Sequence, residues 1–141
     1  MAMGKVNLGR VILGGLLAGL IINVSEFVLN TVVVGAQMDE ILKARNMPAV
    51  GGSAIAMFIV FGFLLGILTI WLYAAIRPRY GAGPGAAIMA GLMVFFLAYV
   101  YGNAGLVVLG FMPASMMLII DAWGLVEILI ASIAGARLYR E

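Results

Sequence analysis

Along the chain, long apolar stretches alternate with short polar interruptions, and four of the stretches are long. A bilayer core is about 30 Å thick, so a helix that crosses it needs about 20 mostly apolar residues. The first stretch covers residues 11–34 and is broken only by Asn23, Ser25, Glu26, Asn30 and Thr31. The second covers residues 53–76 and carries no charge. The third covers residues 85–111, and the fourth covers residues 114–136 and contains Asp121 and Glu127. The pattern predicts an all-α polytopic membrane protein: an antiparallel four-transmembrane-helix bundle forming one domain over residues 1–141.

Breaker residues fit these limits. Pro48, Pro78, Pro84 and Pro113 all fall between the expected spans, where a missing N–H does no harm. Residues 77–85, Arg-Pro-Arg-Tyr-Gly-Ala-Gly-Pro-Gly, read as a tight turn. The link at Met112-Pro113 is so short that the third and fourth spans must be antiparallel neighbours. A secretory signal would share the basic start and apolar run of the first span, but Asn23, Ser25 and Glu26 interrupt that run, so a retained helix is expected. The longest connection, an outer loop at residues 36–52, includes a segment from Met38 to Arg45 suited to a short amphipathic surface helix.

Composition sharpens the class. Hydrophobic residues make up 65% of the chain and charged residues 10%, too little polar surface to cover a water-soluble globule. With no cysteine, disulfides, thiolate metal sites and cysteine nucleophiles are excluded. With no histidine, imidazole-ligated haem and Ser-His-Asp triads are excluded. The net charge of +2 is a topology signal. Lys5, Arg10, Arg77, Arg79, Arg137 and Arg140 share one side, and only Lys43 and Arg45 lie on the other, so both termini are expected in the cytoplasm. No dense basic face exists for nucleic acid. Trp71, Tyr73, Tyr80 and Tyr139 fall near the cytoplasmic ends, as an aromatic belt would. Gly14–Ile21 resembles Ala86–Met93. Two helical hairpins related by an axis along the membrane normal would give this echo, and so would chance in so restricted a vocabulary.

Inside a membrane, small residues let helix backbones approach. Such residues recur at helical spacing in every span: Gly15 and Gly19, continuing to Asn23, Glu26 and Asn30; Gly62 and Gly66, continuing to Thr69; Gly91, Ala98, Gly102 and Gly105; and Gly124, Ala131 and Ala134. Gly15, Gly19, Gly62, Gly66, Gly91, Gly102 and Gly124 are therefore the expected packing positions.

An ionisable side chain at membrane depth costs a few kcal/mol, so Glu26, Asp121 and Glu127 are the leading candidates for specific function. Glu26 lies sixteen residues from Arg10, and Asp121 sixteen from Arg137, so both sit roughly 24 Å in; Asn103 sits roughly 27 Å in. With Tyr99 and Tyr101, between roughly 21 and 24 Å in, they are expected to form one polar layer in the outer half of the bundle, with Asn23 and Asn30 backing Glu26 on its own helix face. Glu127 lies roughly 15 Å in, near the midplane, as a relay toward the cytoplasm. No Lys or Arg shares these depths, so the acids must be protonated, hydrogen-bonded to Asn and Tyr, or holding a cation. Met112, Met116 and Met117 are the one local thioether cluster, better suited to filling apolar space than to binding Cu(I). Ser25 has no base beside it, and the Gly81–Gly85 turn lacks the lysine of a phosphate loop. No metal site or cofactor is expected.

The stretches Trp71–Pro84, Trp123-Gly-Leu-Val-Glu127 and Leu138-Tyr-Arg-Glu141 resemble those of small bacterial four-helix integral membrane proteins with no established activity. That resemblance implies a bacterial inner membrane and carries no activity with it. The expected function is non-enzymatic: a helix-bundle protein acting by packing in the lipid bilayer, as a homo-oligomer or an accessory subunit of a larger membrane complex. The alternative is a small proton- or cation-coupled transporter or channel built on the intramembrane acids.

Overall fold

The computed structural model describes residues 4–141. Among the described residues there are five helices and no strand: α1 (Leu8–Val33), α2 (Gly35–Ala44), α3 (Gly52–Tyr80), α4 (Pro84–Val108) and α5 (Ala114–Leu138). All but α2 are long and apolar enough to cross a membrane. α1 widens to π-helical winding over Leu29–Val33, and α4 does so over Phe95–Val100.

Local chemistry sets the helix ends. The Asn7 side chain accepts a hydrogen bond from the Arg10 N–H at 3.2 Å and caps α1. Pro84 opens α4, where its fixed φ suits the first turn and its missing N–H would have no helical partner. The end of α4 comes three residues before the expected 111. Gly110 takes φ 74°, its N–H bonds to the Val107 carbonyl, and the Phe111 N–H bonds to the Leu106 carbonyl. This is a Schellman closure, which needs a residue at ease with positive φ. At the other end of the α3–α4 connection, α3 continues through Pro78 to Tyr80, past the limit of 76 expected from sequence. A proline in the last turn removes one hydrogen bond and has no further turn to distort. The segment expected as an outer loop is helical over Gly35–Ala44, with Met38 and Ile41 packed against Leu29, Val34, Met116 and Met117. Those two methionines fill this small core.

α1 packs chiefly on α3 and α5, while α5 also packs on α3 and α4. The α1–α3 contact is glycine-tight. A Cβ on Gly66 would lie 2.7 Å from the Gly19 Cα, and one on Gly19 would lie 2.7 Å from the Phe63 Cα. Gly15 meets the backbone of Ile67, and Gly62 meets the Asn23 side chain. Against α5, Gly14 and Gly135 face each other's carbonyl oxygens, a pair absent from the expected packing positions. Gly124 makes room for the Tyr99 ring, and Gly91 lies against Ser132. Gly102 is the exception: nothing lies within 4 Å of a Cβ placed there, so it packs against no other part of the chain. Among the described residues the expected seam on α4 meets no helix at Gly102, and the outer part of α4 packs chiefly on α5.

At the end holding both termini, Tyr73 and Tyr139 are 3% and 4% exposed, with rings edge-on at 5.9 Å. They belong to the core and not to the aromatic belt expected for them; Trp71 and Tyr80 are exposed. Arg77 lies over the Tyr139 ring at 5.4 Å and 3.5 Å from the Glu141 carboxylate. The Tyr139 hydroxyl accepts from the Asn7 N–H at 3.2 Å, tying the chain's two ends together.

A methyl group at Gly66 has nowhere to go, because the atoms it meets are backbone. Gly66→Ala is expected to lower stability by about 1–3 kcal/mol, the usual cost of overpacking. Gly102→Ala is expected to leave stability unchanged. Reversible unfolding in mixed micelles checks both, and equal effects would contradict the packing described.

Candidate functional site

The polar residues of the four long helices gather in two places. The larger cluster lies between α1, α4 and α5. Glu127, near the middle of α5, is 3% exposed. Tyr99 of α4 donates its hydroxyl to Glu127 Oε1 at 2.7 Å. The ring reaches that oxygen because it lies flat against Gly124, one turn before Glu127 on α5. Glu127 Oε2 is buried and has no hydrogen-bond partner. Ser25 and Glu26 of α1 face the same carboxyl. Helical side chains lean toward the N-terminus of their own helix. The N-terminal part of α1 packs beside the C-terminal part of α5, as Gly14 and Gly135 show, so the two glutamates lean toward each other.

Around this core, Trp123 Nε1 donates to the Ser25 hydroxyl at 2.8 Å, a second tie between α5 and α1. Glu26 is half-buried, and Asn30, exposed one turn on, donates to its Oε2 at 3.0 Å and to its backbone carbonyl at 2.8 Å. Asn23 points elsewhere: its side-chain amide donates to the Ile59 carbonyl of α3 at 3.1 Å. That bond anchors α1 to α3 and takes no part in the acid cluster.

The second place is a pair. Asn103 of α4 donates to Asp121 Oδ1 of α5 at 2.6 Å. The single polar layer expected from depth therefore divides in two. Glu26 clusters with Glu127, and Asp121 closes on Asn103. Depth along a helix places residues at one level but leaves their direction around the axis open, and direction separates these groups. Tyr101, expected in the layer, points outward and is exposed. Trp123, a member of the cluster, was not among the expected site residues; its indole N–H within a span, which needs an acceptor when buried, is the signal that would have found it.

Two buried hydroxyls elsewhere in the long helices bond to backbone carbonyls. The Thr69 hydroxyl donates to the Leu65 carbonyl at 2.7 Å, and the Ser132 hydroxyl to the Ala87 carbonyl of α4 at 2.6 Å. Among the described residues, no group of three or more acidic side chains is placed to hold a metal ion. A hollow of about 610 Å³ lies between α2 and the α4–α5 link, bounded by residues such as Ile41, Met47 and Phe111, and it contains no acid. Its one charged wall residue, Arg45, donates to the Gly110 carbonyl at 3.2 Å and pins the link to α2.

Removing the Tyr99 hydroxyl leaves a buried carboxyl oxygen without its donor. Tyr99→Phe is expected to cost about 1–2 kcal/mol of unfolding free energy, and Asn103→Ala, at a half-buried pair, less than about 1 kcal/mol. Unfolding titrations of the two variants check the order, and a larger loss for Asn103→Ala would contradict it. Compared with family models, curated proteins and solved structures, the chain matches none.

Proposed function

We propose that the protein is a non-enzymatic integral membrane helix bundle that acts by packing, as a homo-oligomer or as an accessory subunit of a larger membrane complex. The four long helices would run antiparallel, with both termini on the cytoplasmic side of a bacterial inner membrane. Consecutive contacts support the antiparallel arrangement: Gly15 meets Ile67, Gly19 meets Phe63, and Asn23 bonds to Ile59. The basic residues at the end holding the termini support the orientation.

One observation carries the packing role. Ala98, Gly102 and Gly105, at helical spacing on α4, are all exposed, and the two glycines have nothing within 4 Å of an added Cβ. Small residues at such spacing are what membrane helices use to approach one another, and here no helix of the same chain occupies the place. The neighbouring part of α3 is equally bare. Every large apolar residue from Ile55 to Phe61 is at least 45% exposed, on all sides of the helix. A helix packed on one face would bury every third or fourth residue over such a length.

A small proton- or cation-coupled transporter or channel is the second reading, favoured by the meeting of Glu26 and Glu127. The same acids limit it. Asp121 is already closed on Asn103, and the hollow beside α2 contains no acid.

Native mass spectrometry of the protein released from membranes tests the packing role. The expected result is a homo-oligomer or a stoichiometric complex. Gly102→Leu is expected to dissociate it while leaving the stability of the single chain unchanged, because the added side chain meets nothing within that chain. A monomer with no bound subunit in the wild type, or a complex indifferent to Gly102→Leu, would contradict the proposal.

A further inference from the structure

The buried oxygen of Glu127 demands an explanation that packing does not provide. Oε1 receives the Tyr99 hydroxyl, while Oε2 is enclosed and receives nothing. An unpartnered polar atom in an apolar interior is costly, and native structures satisfy such atoms almost without exception. The groups around it narrow the choice. α1 brings Ser25 and Glu26; the Ser25 hydroxyl accepts from Trp123 and keeps one proton to donate, but it is neutral and offsets no charge between two facing carboxylates. α4 brings Tyr99, whose one proton goes to Oε1. α3 brings no titratable group to this level, since Tyr73, Arg77, Arg79 and Tyr80 all lie in its last turns. Asp121, the other acid of α5, is paired with Asn103. No cationic side chain reaches the cluster from any helix, and two ionised carboxylates facing each other there would repel with nothing to offset them.

We infer that Glu26 and Glu127 form a proton-binding site, in which one proton is held between the two carboxyl groups and satisfies Glu127 Oε2. The proton is covalently attached to one carboxyl and donated to the other as a hydrogen bond. Tyr99 steadies Glu127 from α4, and Asn30 steadies Glu26 from its own helix. Glu26, half-buried and one turn from exposed Asn30, is the member of the pair through which the proton would exchange, because Glu127 is buried. Release of the proton leaves two carboxylates face to face, and their repulsion acts directly across the α1–α5 contact. The site thus gives the bundle a titratable link between helices. It stands whether or not the protein also acts by packing with partners.

The full-length protein labelled with ¹³C-glutamate, in lipid nanodiscs, supplies the test. The chain has four glutamates, and Glu40 and Glu141 are exposed. At about pH 7, where exposed glutamates are ionised, solid-state NMR is expected to show one protonated carboxyl and three carboxylates. The single carboxyl proton is expected to correlate with two glutamate side-chain carbonyl signals. Glu26→Gln and Glu127→Gln are each expected to abolish the protonated signal, since the new amide N–H supplies the missing donor. Asp121→Asn is expected to leave it intact. The absence of a protonated carboxyl in the wild type, its correlation with one glutamate only, or its survival in either Gln variant would each overturn the shared site. The two-carbonyl correlation is read on the unsubstituted protein, so it decides the matter even if a Gln variant does not fold.

Discussion

Where α1 crosses α3, Gly66 lies against the backbone of Gly15 and Gly19, and Gly19 lies against the backbone of Phe63. At Gly66 the two backbones meet directly, and beside it the Phe63 and Ile67 side chains fit over Gly19 and Gly15. For helices in a bilayer, where no water-driven force acts between them, dispersion contacts at this range would be the main source of attraction. The closeness also fixes register. A slide by one residue would bring a Cβ into backbone, so the helices have one way to meet. Asn23 uses that fixed register to reach the Ile59 carbonyl, one turn beyond the last glycine contact. On the other side of α1, the Gly14–Gly135 contact sets the register with α5 in the same manner.

That second contact determines where the acids fall. With Gly14 held at Gly135, the chain of α1 brings Ser25 level with Trp123, and Glu26 leans toward Glu127. α5 in turn places Gly124 under the Tyr99 ring and so delivers the phenol to Glu127. The polar cluster is thus a consequence of helix contacts made at other levels by residues with no side chain. The large side chains of α3 from Ile55 to Phe61, and Gly102 and Gly105 of α4, stay exposed outside these contacts.

The four long helices were legible because each is a mostly apolar run of at least about 20 residues, the length needed to cross a bilayer. The packing glycines of α1 and α3 were legible because helical spacing puts Gly15 with Gly19 and Gly62 with Gly66 on one face each. Gly14 and Gly135 were harder to read, since a glycine beside a seam looks like any other apolar neighbour until the third helix is in place. Gly102 shows the converse: correct spacing on α4 and no helix of this chain opposite. Tyr73 and Tyr139 sit at the ends of helices, where an interface belt is the ordinary assignment, yet they stack on one another because the two helix ends converge. The acids were legible as a group by depth. Which of them meet depends on rotation about each helix axis, and a pattern that is apolar nearly all round gives no preferred direction to read.

The arrangement of the helices and of the acids therefore depends on these glycine contacts holding in a lipid bilayer, in the unsubstituted chain. Solid-state NMR of the protein labelled with ¹³Cα-glycine, reconstituted in bilayers, measures them directly. Cross-peaks between Gly19 and Gly66 and between Gly14 and Gly135 are expected, with none linking Gly102 to a glycine of another helix in the same chain. Absence of the first two, in a sample whose helices are otherwise formed, would show that the helices meet by some other register and would remove the basis for the arrangement of the acids.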